Sequence, residues 1–499
     1  MSRRREMLLM LAAILLSAPA GAAAPSAAER IALVEGGLLP PVLTETTRPM
    51  RLAERMKLYR VPGLSVAVVD KGRLAWAHAW GVAQVGQPER LTPGTLMQAA
   101  SISKSLTALG AFKLADQGRL PLDADVNTLL RRWQLPAGAQ TAERPVTARG
   151  LLGHTAGLTV HGFQGYVPGA ALPTLVQLLD GEPPANSPAV RAEKLPGSEW
   201  RYSGGGYMLL QMLMEDVTGE AFAPWMRREV LEPAGMTTSL FGMLPHAPLT
   251  RAAAGHMGGR VIPGRRANKP EQAAGGLWTT PSDLARLSVA LQRVLGGEEL
   301  PWLSAARLAQ ALQPALPDAP TGLGFFVEDG GKRFGHGGVN AGFESQWRAD
   351  GRRAVIVMAN ANDAMPLIDE VIRAVAAAHG WTDMLPPRVS TQRLRDSFAA
   401  EAIYLRGSMN GWGVGLPLAQ TTPGRFMADV DLPAGPVEFK FASQDWQRID
   451  LGAAFGKPGA LLGARGPNLR FDAKRAGRYR FTLDVRDPAT PRYSVQLRR

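Results

Sequence analysis

Strand-like segments stand at both ends of a long, mainly helical stretch, and this arrangement constrains the fold most. Leu64-Ser65-Val66-Ala67-Val68-Val69 has the pattern of a buried strand, Asp70-Lys71-Gly72 of a turn and Leu74–Ala79 of a second strand, which together predict a hairpin. From 101 to about 320 the chain is mostly helical in pattern, with proline- and glycine-rich loops. Strand character returns at Gly324–Val327, Glu344–Arg348 and Ala354–Met358, and a helix follows over Pro366–Ala378. Strands from both ends must therefore share one sheet with a helical block inserted between them. This is an α/β (α+β) layered domain, expected over residues 25–385.

A chain of 499 residues is too long for one ordinary core. Met384-Leu385-Pro386-Pro387-Arg388 marks a change of character, and residues 386–398 are expected to be a linker. After it, Ala402–Leu405, Phe426–Leu432, Val437–Phe441, Leu469–Asp472, Tyr479–Val485 and Tyr493–Leu497 predict short strands, so residues 399–499 are expected to form an all-β sandwich. The first 24 residues resemble a secretory signal: Arg3, Arg4 and Arg5 precede the ten-residue apolar stretch Met7–Leu16, and small residues follow. An exported, periplasmic or secreted protein is expected.

There is no cysteine, which excludes disulfides and thiol catalysis. The net charge of +13 is spread along an arginine-rich chain without a basic run, so no nucleic-acid partner is expected. The seven histidines form no cluster with metal-ligand spacing, and neither metal nor cofactor is expected.

Ser101-Ile102-Ser103-Lys104 carries the chemistry. Positions i and i+3 share one helix face, and the apolar pattern from Ser105 to about Gln117 predicts a helix that Gly118 ends. A serine hydroxyl is a weak nucleophile until a base takes its proton, and a lysine held beside it out of water is one such base. Ser101 begins the only S-x-x-K in a chain with 10 lysines. Two further segments suit the same chemistry. Tyr202-Ser203-Gly204-Gly205-Gly206-Tyr207 opens another apolar helix, and its Tyr202 phenol is a candidate for passing a proton between Ser101 and the leaving group. Gly335-His336-Gly337-Gly338-Val339 suits a strand edge that a ligand approaches directly. There the backbone N–H of Val339 is expected to join that of Ser101 as an oxyanion hole.

The order of these three segments resembles the serine β-lactamase and penicillin-binding-protein superfamily, in its class C β-lactamase-like branch. Leu151-Leu152-Gly153-His154-Thr155-Ala156-Gly157-Leu158 and Ala274-Gly275-Gly276-Leu277-Trp278 are lesser landmarks of the same branch. The resemblance implies an antiparallel sheet flanked by helices. It also implies an acyl-enzyme mechanism with Ser101, Lys104 and Tyr202 as catalytic residues and a substrate wall that includes Ser203, Trp278, His336, Gly337 and Gly338. Two positions depart from the branch. Its Tyr-x-Asn is here Tyr202-Ser203-Gly204, and its Lys-Thr-Gly is His336-Gly337-Gly338. The second change removes a fixed cation from the place where a β-lactam or peptide carboxylate would bind. The expected substrate is thus an ester or amide. The alternatives are a D-amino-acid-specific peptidase or D-alanyl-D-alanine carboxypeptidase acting on cell-wall fragments, or a non-catalytic wall- or glycan-binding protein.

Tyr404–Trp412 and Val437–Ala442, with Asp445-Trp446, resemble the immunoglobulin-like modules attached to pullulanases and other α-glucan enzymes. This resemblance implies polysaccharide binding, with Trp412 and Trp446 as candidate sugar-stacking residues.

Overall fold

The computed structural model describes residues 24–498 apart from 46, 245–250, 454–461, 465–467 and 489–490. The leader expected over 1–24 lies outside the described residues except for Ala24. Among the described residues no helix is long and apolar enough to cross a membrane.

The expected hairpin forms from β1 (Gly63–Asp70) and β2 (Arg73–Gly81). The helical block contains α1 (Ser103–Asp116), α2 (Gly204–Thr218) and α3 (Pro281–Leu295). The chain then adds β3 (Phe326–Glu328), β4 (Arg333–Asn340), β5 (Phe343–Asp350), β6 (Ala354–Ala359) and α4 (Met365–His379). These strands make one antiparallel sheet in the order β2-β1-β6-β5-β4-β3, so the early hairpin joins the late strands through the β1–β6 pair.

The run Leu64–Val69 is apolar at every position but Ser65 because both faces of the sheet are covered. Leu64, Val66 and Val68 pack with Val355, Val357 and the α4 residues Val371 and Val375. Ala67 and Val69 face the other way, with Ile356, Met358 and the α3 residues Leu284, Leu287 and Leu291. The period of two is present, but an apolar side chain is required on each side. Trp347 of β5 is fully buried and donates from Nε1 to Ser288 Oγ on α3 at 2.9 Å, which joins the sheet to that helix layer.

The segment expected to be a linker contains a helix, α5 (Thr391–Ala400), begun by Ser390 Oγ accepting from the Arg393 N–H at 3.1 Å. Beyond it, strands from β7 (Tyr404–Gly407) to Arg492–Leu497 form a five-stranded and a four-stranded antiparallel sheet. Leu405, Phe439 and Phe441 of one sheet share a core with Phe426, Phe481 and Leu483 of the other, which makes this part a sandwich.

Candidate active site

Ser101 lies on a single 3-10 turn (Ala100–Ile102) that runs directly into α1. The residue before it, Ala100, is left-handed with φ 50°, a conformation an alanine holds only where its surroundings impose it. Three contacts impose it here. Ser103 Oγ donates to the Ala100 carbonyl at 2.5 Å and accepts the Leu277 N–H at 3.0 Å, and Ser345 Oγ of β5 donates to the Ala99 carbonyl at 3.0 Å.

Lys104, one turn on, is 2% exposed. Its Nζ donates to Ser101 Oγ at 3.0 Å and to the Ala274 carbonyl at 2.7 Å. The rings of Tyr202 and Tyr207 flank it, with centroids 5.0 and 5.6 Å from Nζ. Tyr207 is structural: it is fully buried, its hydroxyl donates to the Leu152 carbonyl at 3.0 Å, and burial pushes its phenol well above the ordinary value. Tyr202 is held by its ring, which stacks on His154 at 4.2 Å between centroids, with His161 at 4.8 Å. Serine, lysine and tyrosine thus meet in one cavity of about 600 Å³, whose wall also includes Trp200, Phe326, His336, Gly337, Gly338 and Val339.

His336 sits on β4 and is 3% exposed. Burial, reinforced by the Lys104 charge, lowers its pKa to about 3. Its Nδ1 lies 2.6 Å from the Gly337 carbonyl. A carbonyl oxygen only accepts, so Nδ1 carries the proton and Nε2 is an acceptor. His336 therefore receives an N–H or O–H and does not act as a cation. The same depression affects stability. Below its unfolded value of 6.5 the unfolded chain binds a proton that the folded chain refuses, so stability falls as pH drops from 6.5 toward 3. The contribution of one such group is about 1.4 kcal/mol per pH unit. His336→Asn should lose about 2 kcal/mol less than the parent between pH 6.5 and 4.5 in urea denaturation. Equal losses would mean that His336 protonates freely in the folded protein.

The glycines of β4 form a strand, as expected, and Gly337 and Gly338 line the cavity. The chain itself makes a close approach at Gly338: a Cβ there would stand 2.1 Å from the Ala99 carbonyl oxygen and 3.1 Å from Ala100 Cβ. Val339 is exposed on the cavity side of this strand end, beyond the reach of β3, which pairs only with Arg333–Gly335.

Two expected wall residues lie elsewhere. Ser203 is buried and caps α2: its Oγ accepts the Gly206 N–H at 2.9 Å and donates to the Thr159 carbonyl at 2.7 Å. Trp278 is 2% exposed in the short strand Leu277–Thr279, where it packs edge-on against Phe343 and pairs with Gln98. Neither residue lines the cavity. The missing asparagine at Gly204 has a local reason, since a Cβ there would press at 3.1 Å on both the His161 carbonyl and the Phe163 ring.

Two further residues position the site: His154, which the sequence offers only as part of a landmark segment, and Asn340. His154 accepts the Ser203 N–H on Nδ1 at 3.1 Å, and burial first, then the Lys104 charge, keeps it neutral. Asn340 donates from Nδ2 to Gln98 Oε1 at 2.9 Å and to the Gly275 carbonyl at 3.1 Å, tying the end of β4 to the segment that holds Lys104.

Trp412 and Trp446, in the sandwich, do come together, with centroids 6.3 Å apart. The Arg406 guanidinium lies 3.9 Å from the Trp446 centroid and donates from Nε to the Trp412 carbonyl at 2.7 Å, so one face of Trp446 is already covered.

Residues 51–379 match the beta-lactamase family. The chain belongs to that family. A D-aminopeptidase from Brucella canis is 28% identical over 318 residues, covering 61% of this chain and 58% of the relative, so the chain spans under two thirds of that relative's length. Among solved structures, the octameric penicillin-binding-protein homologue from Pyrococcus abyssi superposes with a TM-score of 0.57 at 20% identity, covering 89% of this chain and 98% of the other. A D-amino acid amidase from Ochrobactrum anthropi SV3 superposes with a TM-score of 0.53 at 22% identity, covering 66% and 99%. These superpositions carry the expected fold.

Proposed function

We propose that the chain hydrolyses a small ester or amide through an acyl-enzyme on Ser101. The observation that carries this reading is the 3.0 Å contact between Lys104 Nζ and Ser101 Oγ, in a slot where the lysine is almost wholly buried. Ser101 Oγ bonds to the substrate carbonyl carbon and its proton passes to the Lys104 side. The N–H groups of Ser101 and Val339 hold the oxyanion. Tyr202, over the Lys104 ammonium, returns a proton to the leaving alcohol or amine as the carbonyl re-forms. Water then attacks the acyl carbon, and the same groups run in reverse to release acid and free serine.

The wall supports esters and amides over β-lactams. A neutral His336 with an acceptor at Nε2 offers no cation to a substrate carboxylate. On purified protein, p-nitrophenyl esters should be turned over, and a chromogenic cephalosporin about 10,000-fold less efficiently, the scale on which a site rejects a substrate that leaves polar groups unpaired. Cephalosporin turnover equal to that of the ester would refute this reading of His336. Peptides ending in D-alanyl-D-alanine, with their free carboxylate, test the carboxypeptidase alternative in the same panel.

A further inference from the structure

Lys269 and Glu271 line the cavity that holds Ser101, and the acyl-transfer steps use neither. They stand just before the short helix Gln272–Gly275, whose Ala274 carbonyl receives the Lys104 ammonium. Glu271 is 1% exposed, and both of its carboxyl oxygens are buried without a hydrogen-bond partner. Buried carboxylates ordinarily collect several donors, because desolvating the charge is otherwise costly. Lys269 does not fill this role. Its Nζ donates to the Phe163 carbonyl at 2.8 Å and acts on Glu271 only through space, where it partly offsets the upward pull of burial on the carboxyl pKa. The wall near the nucleophile therefore holds two buried oxygens without a donor, those of Glu271, with His336 Nε2 as a further acceptor, and the side-chain nitrogens of Lys104 and Lys269 already donate to oxygens. A primary ammonium, with one charge and three N–H donors, complements such a wall.

We propose that Glu271 is a specificity-determining residue that receives the free ammonium of the substrate, so that this site takes amides or esters of amino acids with an unblocked amine. The inference rests on the acyl-transfer reading of Ser101. Three alanine p-nitroanilides test it, in both enantiomers: free-amine, N-acetyl and N-succinyl. The parent enzyme should favour the free amine over the N-acetyl form about 100-fold in kcat/KM, and Glu271→Gln should reduce that ratio to below about tenfold. Equal rates on the free and acetylated forms would overturn the assignment. So would a preference for the succinyl form, which would make Lys269 a carboxylate anchor. The comparison within the parent enzyme decides the matter even if Glu271→Gln does not fold. Fluorophosphonate labelling in parallel separates the two levels. Failure to label Ser101 would overturn the acyl-transfer reading itself, whereas labelling without preference for the free amine would overturn only the role of Glu271.

Discussion

Lys104→Arg should lower kcat/KM for a p-nitrophenyl ester about 1,000-fold or more, the loss expected when an activated nucleophile loses its base. The argument is chemical and steric together. Arginine keeps its proton at any working pH, so it preserves the positive charge and removes the one function a base requires. Its planar guanidinium is also larger than the ammonium slot, which is bounded by Ser101 Oγ at 3.0 Å, the Ala274 carbonyl at 2.7 Å and two tyrosine rings. Charge alone at this position would be satisfied by arginine. A variant that kept more than a tenth of the parent activity in steady-state kinetics would show that Lys104 acts only as a fixed cation.

The second large effect is expected at a residue that has no side chain. Gly338→Ala puts a Cβ at 2.1 Å from the Ala99 carbonyl oxygen and 2.7 Å from Ser345 Oγ. Neither neighbour yields easily. Ser345 Oγ donates to that same carbonyl at 3.0 Å, and the Ala99 N–H donates to the Leu277 carbonyl at 2.9 Å, so Ala99 is held on both sides. The strand must therefore move off the turn that bears Ser101. The expected losses are about 1–3 kcal/mol or more in urea denaturation and about 100-fold in kcat/KM, since displacements near 1 Å at a reacting group have that effect. Gly337→Ala is the control. Its Cβ would meet only the flexible tip of Gln346, at 2.9 Å from Oε1, and should be much milder. Equal damage from both substitutions would contradict the close-approach account.

These two sites show what the amino-acid order makes legible. Lys104 was readable because serine and lysine three apart on a helix touch whatever surrounds them; the helix supplies the geometry. The sheet is readable because Leu64–Val69, apart from Ser65, and Ala354–Met358 are continuously apolar, which marks strands covered on both faces. Gly338 was readable as a place of close approach, but the approaching group, the Ala99 carbonyl, lies 239 positions earlier in the chain and leaves no local trace. Ser203 and Trp278 were placed on the substrate wall by their neighbours in sequence. One is spent on capping α2 and the other on filling the space against Phe343, because adjacent residues on a cap or strand point in different directions. Lys269 and Glu271 look like ordinary solvated charges two apart; only the fold, by burying them beside Lys104, makes them notable. The α5 helix was hidden by the prolines before it, although Ser390 is a good cap.

Everything in this account depends on Ser101 being the atom acylated. The direct measurement is intact-protein and peptide mass spectrometry after treatment with a fluorophosphonate, on the parent and on Ser101→Ala. One added group on the peptide containing Ser101, and none on the Ser101→Ala protein, is the predicted result. A label that persists at the same stoichiometry in Ser101→Ala, or that maps to another residue in the parent, would contradict it.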